Sequence, residues 1–92
     1  MDPETREEAL RRLRSIEGHI RGVERMLEED RTCLEIVRQT LAIRRALDKV
    51  SQLLVSSQLR CCLVAEAEDS GSAERERAVQ DLLEVLELSG LL

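Results

Sequence analysis

Residues 31–66, RTCLEIVRQTLAIRRALDKVSQLLVSSQLRCCLVAE, run without a Gly or a Pro. Within them apolar side chains return at helical spacing, at Leu34, Val37, Leu41, Leu47, Val50, Leu54, Leu59 and Leu63. That spacing, uninterrupted, predicts one long amphipathic helix over about 31–66. Its ends carry the only cysteines of the chain, Cys33 at one and Cys61 with Cys62 at the other. At a rise of ~1.5 Å per residue the Cys33 and Cys62 backbones lie on the order of 43 Å apart. They cannot meet within one chain. A second copy laid antiparallel about a two-fold axis brings Cys33 of one protomer beside Cys62 of the other. If the thiols act together, they do so between subunits.

Before this helix, Glu28-Glu29-Asp30 is a short polar break, and Asp30 is placed to cap the helix that follows. The chain upstream reads as a first helix over about 4–28. Asp2-Pro3-Glu4 is a helix start, with Asp as N-cap, Pro at the first helical position and an acid in the first turn; Thr5 and Glu8 offer a capping box as an alternative. Leu10, Leu13, Ile16, Ile20, Val23 and Leu27 form its apolar stripe. Gly18 and Gly22 fall inside it, four apart, and suggest a face where another backbone comes close. His19 reads as a solvated helix residue. The two helices are expected to pair as an antiparallel hairpin.

After the long helix, residues 67–72 form a polar linker with Gly71 at its turn. A third helix over about 73–89 follows, with Val79, Leu82, Leu83 and Leu86 on one face and Gly90 as its stop. This last helix reads as a cover or an oligomer contact. The whole, 1–92, is expected to be a single all-α domain of three helices.

Ninety-two residues bury a modest core, and self-association is the usual remedy. With no Phe, Tyr or Trp, the core is aliphatic and no ring is available to stack on an unpaired base, which excludes single-strand binding by stacking. The net charge of -5 argues against nucleic acid only as an average. Residues 1–63 hold 12 basic and 11 acidic side chains, net +1, whereas 64–92 hold 2 basic and 8 acidic, net -6. The first helix carries Arg6, Arg11, Arg12, Arg14, Arg21 and Arg25, and the second Arg38, Arg44, Arg45 and Lys49; in a hairpin the two groups can lie side by side. No charged-then-apolar leader and no run of ~18 apolar residues is present, so a cytoplasmic protein with no membrane partner is expected. Its cysteines are then thiols, for metal binding or redox chemistry. A single His and the lack of a nucleophile–base pair or a phosphate-cradling loop exclude an enzyme.

Two blocks, IEGHIRGVERMLEEDRTC from Ile16 to Cys33 and AIRRALDKV from Ala42 to Val50, resemble the CsoR/RcnR family of small bacterial repressors, a likeness that extends over about residues 10–65. The resemblance implies an all-α fold in which an antiparallel helical dimer, a four-helix bundle, assembles into a homotetramer. It also implies binding to double-stranded operator DNA without a helix-turn-helix, and release by an effector at an intersubunit site. By position it assigns DNA contacts to Arg12 and Lys49, with Arg11, Arg14, Arg21, Arg44 and Arg45 as neighbours. It assigns effector sensing to Cys33 and Cys62, with Gln58 and Cys61 beside them.

Copper-sensing members have Cys, His and Cys where this chain has Cys33, Gln58 and Cys62. An amide is a poor Cu(I) ligand, since that ion prefers thiolate, thioether or imidazole. The pattern is most similar to that of the persulfide-sensing, CstR-like branch, in which a sulfane-sulfur donor is the effector. The alternative is Cu(I) or another soft metal held by Cys33, Cys62 and Cys61. No obligatory cofactor is implied by either. Two readings of other classes, a helical interaction module with incidental cysteines and a soft-metal carrier, predict no DNA affinity under effector control.

Overall fold

The computed structural model describes residues 1–67 and 72–88, with side chains for 1–61 and 73–88. It contains three helices: α1 (Pro3–Glu28), α2 (Cys33–Ala67) and α3 (Ser72–Leu88), and no strand among the described residues. The fold is all-α. Gly71 and Gly90 lie outside the described residues, as does most of the expected linker.

Asp2 starts α1. Its carboxylate accepts the Thr5 backbone N–H at 3.0 Å and the Thr5 hydroxyl at 2.6 Å, and Pro3 takes the first helical position, where a missing N–H costs nothing. Thr5 is therefore the third residue of the helix and not its cap. At the other end the chain leaves α1 through a Schellman turn, with Arg31 N–H donating to the Met26 carbonyl at 3.0 Å and Asp30 N–H to Leu27 at 3.3 Å. Asp30 sits at the left-handed position of that turn, with φ 55°. This corrects its expected role: Asp30 ends α1, and Thr32 starts α2. The Thr32 hydroxyl accepts the Glu35 N–H at 3.2 Å while the Glu35 carboxylate accepts the Thr32 N–H at 3.3 Å, a reciprocal capping box that delays the long helix to Cys33.

α1 and α2 pack antiparallel: His19 pairs with Gln39 near the turn, and Thr5 with Arg60 far from it. Ile16 and Val23 of α1 meet Ile43 and Val50 of α2, with Ile36, Ala46 and Leu54 against them. Each pair of buried residues repeats at seven, the spacing that keeps one seam facing a partner helix. α3 packs on α2 and not on α1. The result is a plank 58 × 28 × 13 Å, one helix thick.

Its long helix has two apolar stripes, and the protomer uses one. The stripe through Leu34, Val37 and Leu41 points away from α1, with these side chains 60%, 43% and 42% exposed, and Leu59 continues it toward the thiol end. On α1, Leu10, Ile20 and Leu27 are likewise open. A methyl group built on Gly18 or Gly22 meets nothing within 4 Å, so no backbone of the same protomer approaches there. The close approach expected of these glycines does not occur inside the chain.

Candidate functional site

Cys33 stands at the first position of α2, exposed and free, one residue past the Thr32 cap that fixes where the helix begins. Cys61 lies nearly eight turns on, at ~3.6 residues per turn, also exposed and free. Both belong to one unbroken helix, so their backbones are held on the order of 42 Å apart by the helical rise. Cys62 lies on the same helix, and its side chain lies outside the described residues. Among the described residues no three Cys, His, Asp or Glu side chains gather closely enough to hold a metal ion.

Gln58 is half-buried one turn before Cys62, and its Nε2 donates to the Ala78 carbonyl of α3 at 3.1 Å. Its amide nitrogen is thus committed to docking α3 on the thiol end of α2. On α3 the half-buried side chains are Ala78, Leu82, Val85 and Leu86, while Val79 and Leu83, expected on the covered face, are 43% and 46% exposed. Beside the thiols, Arg60 donates from Nη2 to the Thr5 hydroxyl at 3.1 Å and pairs with Asp2 at 3.7 Å. His19 is half-buried and not free in solvent: its Nε2–H donates to Gln39 Oε1 at 2.7 Å across the hairpin. These three bridges join residues at least twenty apart, and no spacing rule could have found them.

Between α1 and α2 lies an open cleft of about 520 Å³ lined by Arg11, Arg12, Arg45 and Lys49 over a floor of Ser15, Ile16, Ala42 and Ala46. The small Ala42 and Ala46, one turn apart, leave the room into which the cations project. A shallower groove continues past Arg12 and Lys49 to Gln52 and Ser56. Four of the seven basic residues singled out in the sequence therefore meet in one place. Arg14, Arg21 and Arg44 are exposed and do not line the cleft. On its α1 wall, Glu8 accepts from Arg11 at 2.6 Å and from Arg12 at 2.8 Å, and Arg11 first, then Arg12, holds its carboxyl below the ordinary 4.5.

The described residues thus form an all-α hairpin with a basic cleft on one side and a free thiol near each end of its long helix. The sequence model of the metal-sensitive transcriptional repressors matches residues 5–88. The chain belongs to that family, whose members are transcriptional repressors and not enzymes.

Its relatives include the copper-sensing transcriptional repressor CsoR of Bacillus subtilis (strain 168), 39% identical over 74 residues, which are 80% of this chain and 70% of the relative. Among solved structures, the copper-sensing repressor CsoR with Cu(I) from Geobacillus thermodenitrificans NG80-2 superposes with a TM-score of 0.83 at 31% identity, covering 98% of this chain and 91% of the other. The nickel-responsive transcriptional regulator InrS gives 0.76 at 36% identity over 88% of each chain.

Proposed function

We propose that this repressor is released from operator DNA by a soft metal ion, Cu(I) foremost, bound by Cys33 of one protomer and Cys62 of an antiparallel second, with Cys61 as the further thiol. The observation that carries the proposal is the placement of Cys33 and Cys61 toward opposite ends of one continuous helix whose flanking stripe, Leu34, Val37, Leu41 and Leu59, is open to water. A second copy laid antiparallel covers that stripe and joins the two thiol ends in the same step. Pairing of such dimers into a tetramer repeats the basic clefts by symmetry. Thiolates suit a soft monovalent ion, and metal sensing is also what the copper- and nickel-responsive relatives are named for. Gln58, its nitrogen held by Ala78, is no substitute for an imidazole.

DNA is bound at the cleft of Arg11, Arg12, Arg45 and Lys49, where guanidinium and ammonium groups meet phosphate oxygens; Arg14, Arg21 and Arg44 add to the surrounding positive field. Binding DNA places the working protein inside the cell. Metal binding shifts the assembly toward a conformation with weaker DNA contact, as any ligand with unequal affinity for two states must.

Gln58 favours a second reading, with a sulfane-sulfur donor as effector. One thiolate takes the outer sulfur of a donor persulfide to form a protein persulfide, expelling the donor's thiolate. The partner thiolate then attacks the inner sulfur, closing an intersubunit disulfide and expelling hydrosulfide. That route needs two thiols and no imidazole.

The deciding experiment adds Cu(I), or a persulfide donor, to the anaerobically reduced protein on an operator fragment, with non-reducing intact mass in parallel. Release with tightly held, stoichiometric copper and no cross-link supports the metal. Release with a covalent dimer and no effect of copper overturns it in favour of sulfur.

A further inference from the structure

Glu8 lies one turn before Arg11 and Arg12, and its single carboxylate occupies both. Arg11 presents Nε at 3.1 Å and Nη2 at 2.6 and 2.7 Å, so one whole edge of its guanidinium faces the acid. Arg12 gives Glu8 its Nε alone, at 2.8 Å, and its side chain also lines the cleft. On the opposite wall Arg45 and Lys49 make no ion pair among the described residues. The cleft is thus asymmetric: its α2 wall is fully charged, and its α1 wall is masked by an acid from the same helix. Since the pairs are local to α1, the mask does not depend on assembly.

We propose that Glu8 is an affinity-limiting residue, a built-in competitor that a phosphate must displace before Arg11 and Arg12 join the contact. This rests on reading the cleft as the DNA interface, and it adds a restraint that this reading does not contain. Polyanion affinity grows with the number of cations free to release counterions, so an acid that occupies two of them lowers binding to any duplex. Only a backbone positioned well enough to replace both pairs recovers the loss.

The test compares Glu8→Gln and Glu8→Ala with Glu7→Gln, which removes the same charge one residue away from a side chain that makes no ion pair among the described residues. Binding to a random-sequence duplex across a salt series is read beside the elution salt from immobilised heparin. For each cation unmasked, the salt slope steepens by about 0.9 and affinity at 0.1 M salt rises about 8-fold. Both Glu8 variants should show this, with later elution, and Glu7→Gln distinctly less. Equal effects at the two positions, or weaker binding by the Glu8 variants, overturn the proposal. If no protein binds duplex, the DNA reading of the cleft fails, while the heparin shift still decides whether Glu8 masks the arginines.

Discussion

Arg60, the residue beside Cys61, donates to the hydroxyl of Thr5 at 3.1 Å, and Thr5 passes its own proton toward Asp2 Oδ1 at 2.6 Å. One relay ties the thiol end of α2 to the first turn of α1. Thr5 is 5% exposed, so its hydroxyl cannot turn to water if either partner is lost. The Thr5 hydroxyl first, then its N–H, holds the Asp2 carboxyl below the ordinary 3.8, and the charge of Arg60 adds a smaller push. A carboxyl with a lower value folded than unfolded stabilises fully above the unfolded value and loses that contribution as pH falls through the folded one. Glu8, held by Arg11, and Glu35, held by Arg31, do the same from 4.5 downward. Stability should therefore fall as pH drops below about 4.5. In Thr5→Val the Asp2 titration followed by NMR should move up toward 3.8; an unmoved Asp2 would show that the relay does not hold the carboxyl.

The turn makes a second prediction. Asp30 pays the left-handed penalty at φ 55°, which glycine avoids. Asp30→Gly should raise stability by roughly 1 kcal/mol, and Thr32→Ala should lower it by about 1 kcal/mol through loss of the α2 cap. Chemical denaturation of the two variants reads both signs, and a destabilised Asp30→Gly would refute the strain.

Two apolar substitutions should separate folding from association. Ile16, 5% exposed, packs in the hairpin seam, so Ile16→Ala should cost about 2–5 kcal/mol of stability. Leu41, 42% exposed, points away from α1, so Leu41→Glu should leave the hairpin helical and shift the mass measured by light scattering toward the monomer. An unchanged mass would mean that this stripe is not where copies meet.

On operator DNA, where a positioned backbone displaces Glu8, Arg12→Ala and Lys49→Ala should each flatten the salt slope by about 0.9 for a lost phosphate contact, with lower affinity. Arg44→Ala, outside the cleft, should change the slope less. A larger effect of Arg44 than of Arg12 would move the footprint to the other side of α2.

At the thiol end, Gln58→His replaces an amide with an imidazole one turn before Cys62. Competition with a Cu(I) chelator should show tighter copper binding in the variant. Equal affinity would mean that position 58 does not face the ion. Because the same change removes the bond to Ala78, protease should cut more readily near α3 in the apo variant.

Much of this molecule was legible in its sequence, for local reasons. Asp2-Pro3 marks the start of α1 because capping is decided within four residues. The distance between the thiol ends follows from an unbroken stretch and a fixed rise. Other features turn on competition. Asp30 and Thr32 are both good caps, and Thr32 prevails because Glu35 reciprocates while Asp30 is needed to end α1. The apolar residues of α2 fall on two stripes, and periodicity alone does not say that Ile36, Ile43 and Val50 face α1 while Leu34, Val37 and Leu41 do not. The arginines of the cleft could be guessed as neighbours. That Glu8 sits between two of them required the rotamers.

A plank 13 Å thick has no interior in the ordinary sense: none of its described large side chains is fully enclosed, and its best-buried aliphatics, Ile16 and Val50, remain 5% exposed. For such an object folding consumes one apolar stripe of α2 and leaves the neighbouring one, Leu34, Val37 and Leu41, in water. Under the proposed pairing of copies over that open stripe, the melting temperature rises with protein concentration. Dosage would then enter repression twice, once through occupancy of DNA and once through the stability of the reader itself.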